Sequence, residues 1–410
     1  MLATLIPLFD ENMAVSAYSL FAQKKNYLLN PSYLSTAFYD GAGSVPGLDV
    51  IESMGIDTLP GDTEVFVAVD NISVFADINS MYTAPHDRLV LLADQSVVPD
   101  SMYISRLKTL KRMGYKLAIR NIAEDRMEEY FEILLLMDYI LLDHKKCNID
   151  KVRNYLKNVH LHINLCVINV DSQEEFDRFK ADGGYTLYEG EFYRLPVTKG
   201  EEEVTPLKMN YIDLLNMVNA GDYDLQKAAD IISRDTALVI SLLKIVNRMA
   251  VNSEITSINH AAAMLGQREL KKWINTAVTN ELCADKPNEI TRISLLRAKF
   301  AENLAPLFDM KIHASELFLM GLFSVIDLIL GKPMDKALEM VQLSASVNEA
   351  LIANKGELAP VLDFIKQYEK ASWQEVSRQM LLSKIDMNDV YDAYISSLTW
   401  YRDLFRSDTN

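Results

Sequence analysis

A histidine pair, a few charged residues at the ends of apolar runs and one short basic cluster are where residue type and spacing could support chemistry. His160 and His162 lie two apart in a β-type run, so both imidazoles would share one face, as metal ligands do. No Cys, Asp or third His stands at ligand spacing, and the pair is read as hydrogen-bonded histidines lining a barrel core or rim. Asp143 closes the apolar run DYILLD, where a carboxylate can contact a ligand or, more ordinarily, cap the next helix. Arg120 and Asn121 close another run, GYKLAIRNI, entered through a tight turn at Gly114. In HAAAMLGQRELKKWIN, Gly266 precedes Arg268, Lys271 and Lys272 in a pattern resembling a helix-turn-helix. A DNA reader needs base-contacting polar residues in a basic surround. Glu269 and Glu281 nearly balance this cluster, so it is read as packing within an α domain. Cys147, Cys166 and Cys283 are far apart, without a CxxC or an activating neighbour, as expected of inert reduced thiols in a cytoplasm.

The elements that must position these residues fall into two textures. The first half alternates β-type runs (VFVAV, RLVLLA, YKLAI, DYILLD, HINLCVINV) with helical patterns (SRLKTLKRM, MEEYFEILLLM, DKVRNYLKN, SQEEFDRFKAD). Such alternation implies crossover units and a parallel sheet. With LATLIPLF, VSAYSLF and YTLYE added, the strands suffice for an eight-stranded barrel, though periodicity alone also allows an open sheet. No Gly-rich phosphate loop follows any strand, which weighs against a nucleotide-type Rossmann fold. Residues 198–206, within LPVTKGEEEVTPLK, read as a charged, solvated linker between a first domain, 1–197, and a helical second domain, 207–410. In that second domain Asp235 sits where an N-cap would separate two helices, and Ser372 with Glu375 gives a capping-box pattern. Tyr391, Tyr394, Leu398, Tyr401 and Phe405 recur at helical spacing, a stripe that must dock on the α domain, the barrel or another chain, with core docking expected.

Charge narrows the function classes. With 41 basic against 57 acidic residues, a net charge of −16 argues against wholesale binding to nucleic acid or anionic lipid. The N-terminus lacks a basic leader, and the most apolar run, 317–330, is too short to span a bilayer and contains Asp327. A cytoplasmic protein without membrane insertion is expected.

These residues resemble a known pairing: an EAL-type, TIM-like (β/α) barrel followed by an all-helical HDOD (HD-related) domain, as in bacterial EAL–HDOD signalling proteins. The resemblance implies an α/β plus all-α fold over nearly the whole chain. EAL barrels hydrolyse cyclic-di-GMP with metal ions held by carboxylates at strand ends, which activate water and neutralise phosphate. In this sequence the family's polar positions fall on Ser19 and Gln23 in VSAYSLFAQ, Ala68 in VFVAV, Leu92 in LVLLADQ, and Arg120 with Asn121, where an aspartate pair is expected. They continue on Leu141, where a lysine is expected, on the retained Asp143, on Ile168, and on Glu189 at the glutamine position of YEGEFYRLP. In the second half, ISRDTALVISLLKIVN and ITSINHAAAMLG resemble HDOD helices. The ancestral metal-binding histidine and His-Asp pair fall on Ile293 and on Ser324 with Val325.

One retained carboxylate cannot hold two divalent ions, and an arginine at a metal position repels them. The expected function is therefore a non-catalytic signal-transduction adaptor acting through protein–protein contact, with other signalling proteins as partners and no cofactor. The alternative is a cyclic-di-GMP receptor that binds without hydrolysis, using Arg120 and Arg194. An active phosphodiesterase and a nucleic-acid binder rank below both. With Ile293, Ser324 and Val325 replacing the ligands, the α domain is expected to offer an apolar groove, with no charged site for a small anion.

Overall fold

The computed structural model describes residues 1–24, 44–59, 63–83, 86–159, 163–194, 204–249, 255–286 and 288–405. His160 and His162, and 198–203 of the expected linker, lie outside them. Two compact units emerge: residues 1–195 with 364–410, and residues 196–363.

In the first unit eight strands close a barrel in sequence order: β1 (Leu2–Phe9), β2 (Val15–Gln23), β3 (Glu64–Val69), β4 (Leu89–Ala93), β5 (Lys116–Arg120), β6 (Tyr139–Asp143), β7 (Asn164–Ile168) and β8 (Leu187–Glu189). Every expected strand is present. The sheet is parallel from β2 to β8, but β1 runs antiparallel to both β2 and β8, which corrects the all-parallel reading. The cause is local. β1 and β2 are joined by a hairpin in which Asp10 Oδ1 accepts from the Asn12 and Ala14 N–H groups, and a hairpin leaves no room for a crossover helix. Between β5 and β6, MEEYFEILLLM yields a single helical turn, Phe131–Leu134, where a full helix was expected. The other expected helices, Ser101–Arg112, Ile149–Asn158 and Gln173–Asp182, are formed and capped by Asp100, Asn148 and Ser172.

Alternation decides what fills the barrel. Ala17, Phe66, Val90, Ala118, Leu141, Cys166 and Leu187 point inward and pack as one cluster. A residue two positions further along each strand also faces inward, nearer the C-terminal rim.

The barrel has a seam. β8 pairs with β1 at Leu8 and Phe9, so the start of β1 lies beyond that pairing. Two tyrosines of the C-terminal segment supply acceptors there: Ala3 N–H donates to the Tyr368 hydroxyl at 3.2 Å and Leu5 N–H to the Tyr394 hydroxyl at 3.4 Å. Their rings pack at 5.0 Å between centroids, and Arg194 pairs with Glu369 at 2.9 Å. Residues 364–405 therefore pack with the barrel, correcting the assignment of 207–410 to one helical domain. Within the stripe, Tyr394 and Leu398 are buried and Tyr391 and Tyr401 half-buried. The helix Trp373–Ser383 starts where expected after Ser372, but the capping box does not form, because the Glu375 carboxylate is taken by Arg378 and Gln379.

The second unit is helical. Thr205 caps Pro206–Asn219, so 205 and 206 open a helix that the expected linker included. Leu225–Ile232 and Thr236–Met249 are separated at Asp235, whose Oδ1 accepts from the Leu238 N–H as expected of an N-cap. Ile258–Leu282 is broken at Gly266 (φ 72°), a backbone setting that side chains resist. Asn288–Leu304 and Ala314–Phe323 press together so closely that a Cβ on Gly321 would lie 2.4 Å from the Arg297 carbonyl oxygen. Among the described residues, no helix is long and apolar enough to cross a membrane.

Candidate functional site at the barrel rim

The inward alternation carries the sequence-derived positions to one end of the barrel. Ser19 follows Ala17, Ala68 follows Phe66, Leu92 follows Val90, and Arg120 follows Ala118, each two residues on. On the remaining strands Leu141 precedes Asp143, Ile168 follows Cys166, and Glu189 follows Leu187. Register sets Ala68 opposite Leu92, Arg120 opposite Leu141, and Asp143 opposite Ile168, while Ser19 faces Phe66 and Leu92 faces Ala118, the stagger of a tilted barrel.

Leu92, Leu141 and Ile168 are buried in the barrel core, while Ala68 is exposed. Gln23 ends β2, half-buried. Asn121 is exposed just past β5 with φ at 60°, a left-handed setting asparagine tolerates. The polar remainder is small and internally matched. Ser19 Oγ donates to Glu189 Oε2 at 2.8 Å, and both residues are buried. Burial raises the Glu189 carboxyl above the ordinary carboxylate range and the Asp143 charge adds to this, against the opposing pull of the Ser19 hydrogen bond and the Arg120 charge. Arg120 lies over the Phe21 ring at 5.1 Å, a cation–π contact within reach of that family of interactions.

Two buried carboxylates, Asp143 and Glu189, thus share the rim, where the sequence reading counted one. Asp143 does not cap the following helix. Its Oδ1 accepts from the Lys145 N–H at 3.0 Å in a turn, Lys146 Nζ lies 2.9 Å from Oδ2, and Asn148 caps the helix instead. Burial pushes the Asp143 carboxyl up, but hydrogen bonds from Lys146, Asn169 and the Lys145 backbone outweigh it and hold the group below its usual range. Phe21, Lys146 and Asn169 were not read as site residues. Phe21 was legible in principle, since it stands two residues beyond Ser19 on the same strand.

Among the described residues, no group of three or more His, Cys, Asp or Glu is placed to hold a metal ion. The rim arrangement holds one charge against another, Glu189 beside Arg120 and Asp143 beside Lys146. Cys166 is fully buried in the barrel core and burial raises its thiol well above the ordinary range; the Cys283 thiol is pushed up to about 11.

In the helical unit, Ile293 and Val325 are buried core residues. Ser324 Oγ donates to the Gly321 carbonyl at 2.7 Å and accepts from Arg297 at 3.0 Å. This local region is filled by packed side chains and a serine–arginine contact, and the same elements bury Glu289, Arg292 and Asp327.

Comparison with known proteins follows the same division. Residues 205–357 match the HDOD domain family. The chain is 26% identical over 329 residues to "Cyclic di-GMP phosphodiesterase CdgJ" of Vibrio cholerae, covering 79% of this chain and 76% of that protein. It is 25% identical over 410 residues to the uncharacterized protein YuxH of Bacillus subtilis, covering 97% of each. Among solved structures, a standalone EAL protein from Vibrio cholerae O395 in its c-di-GMP-bound form aligns at 16% identity with a TM-score of 0.35, over 47% of this chain and 90% of that one. This chain joins an eight-stranded barrel to a helical region of which residues 205–357 match the HDOD domain family.

Proposed function

We propose that this chain is a non-catalytic signal-transduction adaptor, with a barrel that does not hydrolyse cyclic-di-GMP and an HDOD domain that works by protein–protein contact. The observation that carries the reading is the rim of the barrel. At the inward positions near the strand ends stand Ser19, Leu92, Leu141 and Ile168, and of the two buried carboxylates Glu189 is bonded to Ser19 and Asp143 is paired with Lys146. A divalent ion needs several oxygens around it, and Arg120 places a positive charge beside that carboxylate. The relative named as a cyclic di-GMP phosphodiesterase supports a place in that signalling chemistry without supplying the missing oxygens.

The test is direct. The purified chain should release no linear dinucleotide from cyclic-di-GMP with Mg²⁺ or Mn²⁺, and calorimetric titration should show no binding heat. Metal-dependent turnover, in protein free of contaminating phosphodiesterase, sinks the reading. Binding without turnover, abolished by Arg120→Ala, would replace the adaptor with a receptor.

A further inference from the structure

The helical unit contains a cleft of about 430 Å³ walled by the end of Pro206–Asn219, the second half of Ile258–Leu282, and residues 315–319 and 342–344. That volume lies within the range of small-molecule sites. Phe318 and Leu319 line it with apolar surface, and Asn219, Gln267 and Gln342 bring amides to it.

Its charges are arranged unequally. Lys272 donates to both oxygens of Glu302, at 2.8 and 2.7 Å, and Lys299 adds a third contact to the same carboxylate at 2.8 Å. Glu316 accepts from the Ser344 hydroxyl at 2.6 Å and pairs with His313 at 2.7 Å. Arg268 and Glu269, both exposed, face each other at 3.7 Å. Each carboxylate lining the cleft therefore has its own counter-group. Lys271 does not: among the described residues, its ammonium meets no carboxylate, although the side chain is half-buried. In a chain of net charge −16, this is a local excess of positive charge at the edge of an apolar wall.

We propose that this cleft binds a small organic anion with an aromatic or otherwise flat apolar body, its carboxylate or phosphate at Lys271 and its body against Phe318 and Leu319. Such a ligand supplies the charge that Lys271 lacks and packs its body against the partly exposed Leu319, beside the buried Phe318 ring. Burial independently pulls the Lys271 ammonium below the ordinary lysine range, the direction expected of a cation without a partner. The site is separate from the barrel rim and stands whether or not the barrel hydrolyses anything. It also departs from the sequence reading, which left the helical half without a charged site for a small anion.

The probe is 8-anilinonaphthalene-1-sulfonate, an aromatic anion whose sulfonate stands in for the carboxylate or phosphate, with uncharged N-phenyl-1-naphthylamine as control. Fluorescence titration of the full chain should saturate at one anionic probe per chain. Lys271→Met should weaken that binding roughly tenfold or more, the scale of one charged hydrogen bond, with Lys271→Arg retaining most of it and the neutral probe unaffected. In the unmodified chain, acylation of Lys271 followed by mass spectrometry should slow when the anionic probe is present, a readout that survives should a variant misfold. Unsaturable binding, equal affinity in Lys271→Met, or no protection of Lys271 each overturns the proposal.

Discussion

The barrel rim and the crossing of helices Asn288–Leu304 and Ala314–Phe323 both depart from the polar patterns that their sequences resemble, and they do so by different physics. At the rim the change is polar. Glu189 is buried with a hydroxyl donor from Ser19, Asp143 is held by Lys146, and Arg120 rests on Phe21. At the helix crossing Ile293 and Val325 lie in the core and Gly321 packs against the Arg297 backbone, with Glu289 and Arg292 buried as a pair on the same helix. Space near a strand end or a helix crossing can be filled by hydrogen-bonded polar groups or by close packing. The first leaves buried groups that still titrate; the second leaves steric intolerance.

Five substitutions would sharpen or break this contrast. The largest effect belongs to the seam. Tyr368→Ala removes a fully buried ring and the acceptor for Ala3, and should destabilise the barrel unit by roughly 3–5 kcal/mol. Urea unfolding followed by hydrogen exchange in β1 peptides would report it; unchanged exchange there would break the account of the seam. Next, Gly321→Ala should destabilise the helical unit by roughly 2–3 kcal/mol, since its methyl group would meet backbone that cannot swing aside. A neutral result would mean the two helices have slack, and the contrast with the rim would lose its steric half.

Smaller is the rim. Ser19→Ala should cost about 1–3 kcal/mol at neutral pH by leaving a buried carboxylate short of a donor. Glu189→Gln tests the same pair through pH. The folded carboxyl of Glu189 lies above its ordinary value of 4.5, so the folded state holds this proton to higher pH than the unfolded chain. Stability from this group is present below about 4.5 and declines as pH rises through the folded value. The glutamine variant should thus gain on the parent chain as pH rises above 4.5. Asp143 has the opposite sign: its depressed folded value gives stability above the ordinary aspartate range that is lost as pH falls. Parallel pH curves for the parent and Glu189→Gln would remove the titrating half of the contrast. The smallest expected change is Asp235→Ala, about 1 kcal/mol for a lost N-cap, read as faster exchange at the start of Thr236–Met249. An unchanged rate there would mean that solvent serves the Leu238 N–H as well as the carboxylate does.

Much of this architecture was legible. Apolar runs gave all eight strands because burial on both faces leaves continuous hydrophobic segments, and a period of two then fixed which residues reach the rim. The direction of β1 was legible but overlooked, because the short stretch between Phe9 and Val15 cannot hold the dozen or so residues a parallel crossover needs. The docking of Tyr394 was half legible. Helical spacing showed that a stripe must be covered, but the partner, a backbone edge nearly four hundred residues away, leaves no local trace. Lys271 and Lys272 read as one basic cluster, yet their neighbours set them apart. Glu302 and Phe318 claim Lys272 from other helices, while Lys271 is left over. Pairing of this kind is decided by tertiary contacts and has no signature in spacing.

The seam described above also has a consequence for how the chain is made. A ribosome delivers residues 1–195 long before the tyrosines that cover Ala3 and Leu5. At about 5–20 residues per second, synthesis of the intervening stretch takes on the order of 10–40 s. Through that interval the start of β1 lacks its tyrosine cover, and the Ala3 N–H is a donor that another strand could take. The nascent barrel would thus be the stage most exposed to mispairing and the natural client of a chaperone, while the helical unit can complete itself before release.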